Sequence, residues 1–202
     1  RNLTLNGGGG SIGACGNDLD IDSGEGGVLT AFALGDIDIN EVSGDLRVDA
    51  AISFGAVNLM ALAGSIVDGN EGSGPNVSGA SSILIAGGSI GAARDSLDTS
   101  VGGLEARAFE GGIWIDNTVD LIIGGLSELE GVSASGDVVI VNLGSILVEE
   151  NVSGANVVLK AVESAGGNED ITIGDGAVVT GGGVVQLLAG DDFLLSEGGV
   201  VD

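Results

Sequence analysis

A short unit that repeats without any helical pattern constrains the fold of this chain most. Residues 135–161 hold a Ser-Gly dipeptide at Ser135, a β-branched run, a glycine, and then a second Ser-Gly dipeptide at Ser153. The run has no 3.6-residue apolar period and no helix cap, and its Val and Ile residues favour strands. Because so small a unit cannot bury its own apolar face, it predicts one coil in a stack of similar coils.

A second marker, Gly-Ser-Ile, occurs at Gly10, Gly64, Gly88 and Gly144. We interpret its intervals as whole numbers of coils of 18–24 residues, with a loop insertion at 69–76 that contains the single proline. The prediction is an all-β chain, a right-handed parallel β-helix (β-solenoid) of roughly ten coils, because parallel strand connections are right-handed. Residues 1–202 are expected to form a single solenoid segment of a longer repetitive chain.

Alternating apolar and polar residues predict which side chains point into the solenoid, since successive residues of a strand face opposite sides. In 18–22, for example, Leu and Ile alternate with three aspartates. The residues predicted to point inward are Leu19, Ile21, Ile37, Ile39, Leu46, Val48, Leu121, Ile123, Ile171 and Ile173.

Composition limits the partners. The chain carries 30 Asp and Glu against 5 Lys and Arg, for a net charge of −25. Nucleic acids and anionic membrane surfaces are bound through Lys and Arg, so neither is an expected partner. No 18-residue apolar run is present to embed the chain in a bilayer. The single cysteine, Cys15, is expected to be a small buried residue.

A family resemblance rests on three motifs in the first two coils. Gly9-Gly-Ser-Ile-Gly-Ala14, then the Leu-x-Ala-x-Ala pattern from Leu29, then Gly35-Asp-Ile-Asp-Ile39 resemble the repeats of filamentous haemagglutinin-type adhesins, which are bacterial two-partner-secreted and autotransporter exoproteins. The resemblance implies a right-handed parallel β-helix that is exported to the cell surface. The expected partners are other copies, adjoining segments of the same long chain, or a host or neighbouring cell surface.

Catalysis is not expected. The chain has no His and no Tyr, which excludes Ser-His-Asp and Cys-His catalysis. Gly190-Asp-Asp192 resembles one motif of the β-helical polygalacturonase-type glycosidases, which use paired carboxylates. However, Val119 stands after Asn117-Thr118 where that family needs an Asp. The expected function is a structural and adhesive rod. A self-assembling building block of a filament or coat is the alternative, and a polysaccharide-degrading enzyme is the disfavoured one.

Calcium is the one ligand that the sequence suggests. Aspartates at every second position on two successive coils would bring carboxylates within a coil spacing of one another, where they could share a hard cation. A solvated acidic face without metal is the competing interpretation. The aspartates concerned are Asp18, Asp20, Asp22, Asp36 and Asp38.

Outward positions become apolar in the second half of the chain. Strands that are covered on both faces have continuous apolar runs, whereas half-exposed strands alternate. One flank of the later coils is therefore predicted to be an interaction surface, covered by another copy or by an adjoining part of the chain. Its residues are Trp114, Ile122, Val139, Val141, Leu188 and Leu194.

Overall fold

A computed structural model describes residues 1–70, 72, 74–165 and 167–202. Throughout these residues the regular elements are strands, and none is a helix. The strands are β1 (Leu3–Gly8), β2 (Leu19–Ile21), β3 (Val28–Ala33), β4 (Ile37–Glu41), β5 (Leu46–Ile52), β6 (Ala56–Ala61), β7 (Ile66–Asp68), β8 (Val77–Ala86), β9 (Leu97–Ala108), β10 (Ile113–Asn117), β11 (Leu121–Ile123), β12 (Val132–Ala134), β13 (Val138–Asn142), β14 (Ile146–Val148), β15 (Val152–Gly154), β16 (Val157–Ala161), β17 (Ile171–Ile173), β18 (Val178–Gly181), β19 (Val185–Leu188), β20 (Phe193–Leu195) and β21 (Val200–Val201).

Parallel pairing stacks these strands into a β-solenoid of about nine coils, which confirms the fold class and agrees with the expectation of roughly ten coils. The stack has three faces. Face 1 contains β10, β13, β16 and β19, face 2 contains β11, β14, β17 and β20, and face 3 contains β12, β15, β18 and β21. In the earlier coils β4, β6 and the second half of β8 run through faces 2 and 3.

Coil length varies more than the sequence suggested. The partner of Leu29 in the next coil is Val48, whereas the partner of Val157 is Val185, so the later of these two coils contains many more residues. The difference lies in the corners, which accept extra residues because they point away from the stack. Strand β9 has no corner loop: it pairs in turn with β10, β11 and β12, and so bends around all three faces.

Aliphatic side chains from equivalent positions form columns along the interior. In face 2, for example, Val57, Leu104 and Ile123 are fully buried members of one column, and Ser82 is a buried polar member of it. Nine of the ten residues predicted to point inward are buried, and Leu19 is the exception at 38% exposed. Leu19 aligns with the buried Ile39, but β2 pairs with β4 alone and so has a neighbouring strand on one side only.

The Gly-Ser-Ile marker is a corner motif. Its isoleucine is buried in all four copies. Its serine Oγ can accept a backbone N–H from the next coil, as Ser11 does from Asp36 at 3.0 Å and Ser65 does from Ser89 at 3.0 Å. In these two coils glycine lies opposite the serine, and a Cβ at Gly35 or Gly88 would collide with the hydroxyl.

The marker does not measure the coil period. Ile12 bridges to Ile37, in the column that continues to Ile123 on face 2, whereas Ile66 bridges to Ile90, which leads to β10 on face 1. The interval from Gly10 to Gly64 is therefore not a whole number of coils, and the interpretation of that spacing as a whole number of coils was wrong.

Three smaller expectations can also be compared with the fold. The predicted loop insertion at 69–76 lies between β7 and β8, but its residues 71 and 73 are outside the described residues. Cys15 is exposed rather than buried, because it lies in the loop before β2. Among the described residues, no helix is long and apolar enough to cross a membrane.

Candidate functional site

A ladder of buried polar side chains runs through the middle coils at the end of face 1. Thr99, Asn117 and Asn142 occupy equivalent positions in β9, β10 and β13 and are each at most 1% exposed. Thr99 Oγ1 donates to Asn117 Oδ1 at 2.9 Å, and Asn117 Nδ2 donates to Asn142 Oδ1 at 2.8 Å. The ladder stops in the next coil, where Ala161 takes the same position.

The ladder also satisfies the backbone where the chain turns. Asn117 Oδ1 accepts the N–H of Val101 at 2.9 Å, and Asn142 Nδ2 donates to the carbonyl of Ser145 at 2.8 Å. A buried polar group without a partner is costly, so these amides hold each corner in one conformation. Our sequence analysis missed them. The signal was an Asn that ends both apolar strands, Ile113–Asn117 and Val138–Asn142.

Amide-to-carboxylate hydrogen bonds also join successive coils on the side of the strands that faces away from the interior, although Asp38 is only 3% exposed there. Asn40 Nδ2 donates to Asp20 Oδ1 at 2.8 Å, Asn58 Nδ2 to Asp38 Oδ1 at 2.8 Å, and Asn156 Nδ2 to Asp137 Oδ1 at 2.7 Å. Each pair links residues 19 or 20 positions apart, which is one coil. These outward-facing Asn and Asp side chains therefore join successive coils.

The five aspartates considered for calcium do not form one cluster. Asp18 and Asp38 lie close together, because Leu19 aligns with Ile39 on the adjacent strand. Burial, followed by the charges of Asp38 and Asp20, raises the pKa of Asp18 above its ordinary value. Asp22 and Asp36 instead accept hydrogen bonds at separate corners, from Ser43 Oγ and from the N–H of Ala56. Calcium binding by the five therefore stays a prediction.

A second set of acidic residues lies closer together than these five aspartates. Oxygens of Glu163, Glu169 and Asp191 all lie within 4.8 Å of one another, and no other such group of three is found among the described residues. Glu169 is only 4% exposed. Ser164 Oγ donates to Glu169 Oε1 at 2.5 Å, and the N–H of Glu169 donates to Asp191 Oδ2 at 3.2 Å. Carboxylate oxygens are the ligands that hard divalent cations use, although carboxylates also pack in this way without a cation.

The six residues predicted to form an interaction surface lie on two faces. Trp114, Val139, Val141 and Leu188 are on face 1, and Ile122 and Leu194 are on face 2. Ile122, Leu188 and Leu194 are exposed, whereas the other three are half-buried.

Polar residues interrupt the apolar columns of these two faces. Val141 lies between Asp116 and the exposed Lys160 in its column. The indole of Trp114 lies across Gly112, where a Cβ would collide with the ring. The outward surface is therefore a set of short apolar patches.

One loop is anchored by a fully buried carboxylate. Residues 124–131 connect β11 to β12 and cover Glu105 of β9. The carboxylate of Glu105 accepts the N–H groups of Leu126 at 2.7 Å and Ser127 at 2.9 Å, and also the hydroxyl of Ser127. Three hydrogen bonds to one buried charge fix the loop against the stack.

Comparisons with family models, with curated proteins and with solved structures find no match to this chain. The class that the fold defines is a β-solenoid built from stacked repeats of parallel strands.

Proposed function

We propose that this β-solenoid is a non-catalytic structural rod, a stalk segment of a large secreted or surface-exposed bacterial adhesin of the filamentous haemagglutinin type. The observation that carries the proposal is the coil-to-coil use of polar side chains. The interior asparagine ladder and the outward Asn–Asp pairs each bond one coil to the next. Such side chains add cohesion along the axis, which is what a load-bearing stalk needs.

The strongly acidic surface supports an extracellular location. A net charge of −25 keeps an extended surface soluble and discourages its exposed strand edges from pairing with other chains. The motifs from Gly9 to Ile39 that resemble haemagglutinin-type repeats support the more specific assignment. In this proposal the partners are adjoining segments of the same long chain and the cell surface that the adhesin contacts.

Force spectroscopy tests the load-bearing role. A molecule tethered at residues 1 and 202 is expected to unfold in a series of steps, each releasing about one coil, or roughly 60–100 Å of extended chain. The reason is that each coil contacts only its neighbours. Unfolding of the entire chain in one low-force event would overturn the proposal of a coil-by-coil, load-bearing rod.

An assay on polygalacturonate tests the non-catalytic assignment. We expect no turnover, and we expect Asp191→Ala combined with Asp192→Ala to leave that result unchanged. A measurable turnover that disappears in the double variant would replace the rod with the polysaccharide-degrading enzyme.

Self-assembly is the second candidate function, and the outward apolar residues of the later coils favour it. Ile122 is exposed, and Trp114, Val139 and Val141 are half-buried on the outward surface. Apolar residues exposed on one flank can pack against another copy of the chain. Light scattering at rising protein concentration and low ionic strength distinguishes the two functions: under these conditions a rod stays monomeric, whereas a building block grows.

A further inference from the structure

Two aspartates are stacked on the outside of the middle coils. In the parallel pairing of β9 with β10, Asp98 aligns directly with Asp116. Neighbouring strands of a sheet lie about 4.8 Å apart, and aligned residues point to the same side. The two carboxyl groups are therefore held side by side by the backbone of two successive coils.

Among the described residues, the strands next to this aspartate pair place no Lys or Arg beside it. The pair lines a groove of about 200 Å³ together with Pro75, Val141 and Leu143, and no Lys or Arg lines it. On the β13 side, Val141 aligns with Asp116. On the β8 side, the N–H of Asp98 donates to Asn76 Oδ1 at 2.8 Å. A neutral amide and an apolar side chain thus flank the pair.

The charges that raise the pKa of Asp98 are all carboxylates. Burial, followed by the charges of Asp116, Asp68 and Asp95, raises the pKa of Asp98. Burial also raises the pKa of Asp116, against a smaller lowering by a hydrogen bond from Ser96. Two like charges at this separation oppose each other's ionisation, so one of the two binds a proton more readily than an isolated carboxyl group.

We propose that Asp98 and Asp116 form a proton-sharing pair that makes the junction between the coil of β9 and the coil of β10 more stable in mildly acidic than in neutral solution. The proton comes from solvent and is held between the two carboxyl groups. In the folded chain the pair binds it more tightly than in the unfolded chain, where an Asp titrates near 3.9. The stabilisation is therefore complete below the unfolded value and is lost as pH rises through the raised folded value.

Melting temperatures across pH 4 to 8 test the proposal in the full chain. We expect Asp116→Asn to raise the melting temperature at neutral pH and to flatten its fall with rising pH. Asp98→Asn should do the same. The matched control is Asp192→Asn, which removes an exposed carboxylate in the last coil. If all three variants flatten the profile equally, the pH dependence belongs to the net charge and the proposal is wrong.

Carboxyl-carbon NMR titration of the wild type gives a readout that does not depend on variant folding. Asp98 and Asp116 should titrate above the ordinary Asp range with interdependent curves, and Asp116→Asn should move the Asp98 midpoint downward. Ordinary, independent midpoints for both residues would overturn the proposal.

Discussion

The coil that contains β17 and the next coil, which contains β20, place similar residues in the same columns, yet only the first of the two has a buried core. Ile171 and Ile173 of β17 are fully buried, whereas their aligned partners Phe193 and Leu195 of β20 are 46% and 53% exposed. β17 has a strand on each side, and β20 has one on a single side. Burial in this fold therefore comes from neighbouring coils and not from residue type alone.

The largest expected effect is the loss of an interior leucine. Leu159 is fully buried, and Leu187 occupies the next position of the same column but is half-buried. We expect Leu159→Ala to lower the free energy of unfolding by about 3 kcal/mol, since it leaves a cavity between two coils. The matched change Leu187→Ala should lower the free energy of unfolding by less than half of that amount. Urea unfolding measures both, and equal losses would contradict the dependence on neighbouring coils.

The asparagine ladder should give the next largest effect. Asn117→Ala leaves the N–H of Val101 and the side chains of Thr99 and Asn142 without their partner. We expect a loss of about 2 kcal/mol. The control Asn156→Ala removes an amide that is only partly buried, and it should cost about 1 kcal/mol or less. If both substitutions lower the free energy of unfolding equally in urea, the buried ladder does not stabilise the fold more than the outward pairs do.

Lateral association should depend on the apolar patches of the later coils. High salt screens the net charge and is expected to promote association through face 1. Val139→Asp with Val141→Asp should weaken that association in light scattering across a salt series. The control Ser153→Asp with Thr180→Asp adds the same charge on face 3 and should not. A monomer at every ionic strength, in wild type and variants alike, would remove the lateral interface.

Calcium is expected to have the smallest effect. By relieving repulsion among Asp18, Asp20, Asp22, Asp36 and Asp38, it should raise the melting temperature slightly. Asp18→Asn should reduce that rise, because Asp18 and Asp38 are the two that lie close together. Identical melting curves in calcium and in chelator would leave a solvated acidic face as the explanation.

Strand alternation was enough to predict the fold and most of the core. The facing of Ile37, Ile39 and Leu46 follows from local sequence, because each lies in a strand with polar residues on alternate positions. Leu19 has the same local pattern but lies in a coil with a neighbour on one side only. Its exposure depends on position in the stack, which a local pattern does not contain.

Pairs across coils were harder to predict, since they need the register. The five aspartates were expected to stack on one another, but Asp20 aligns with Asn40. Asp98 and Asp116 do stack, yet they are separated by the variable corners that precede β10. Because coil length changes from one coil to another, counting along the sequence does not give the alignment.

Hydrogen exchange of backbone amides tests most directly the claim that each coil is stabilised by its neighbours. The account predicts the slowest exchange in β10, β13 and β16, which have paired strands on both sides, and much faster exchange in β19, β20 and β21. It also predicts a gradual rise in exchange rate from the middle coils to the last. Uniform protection across all the coils, or fastest exchange in the middle, would contradict it.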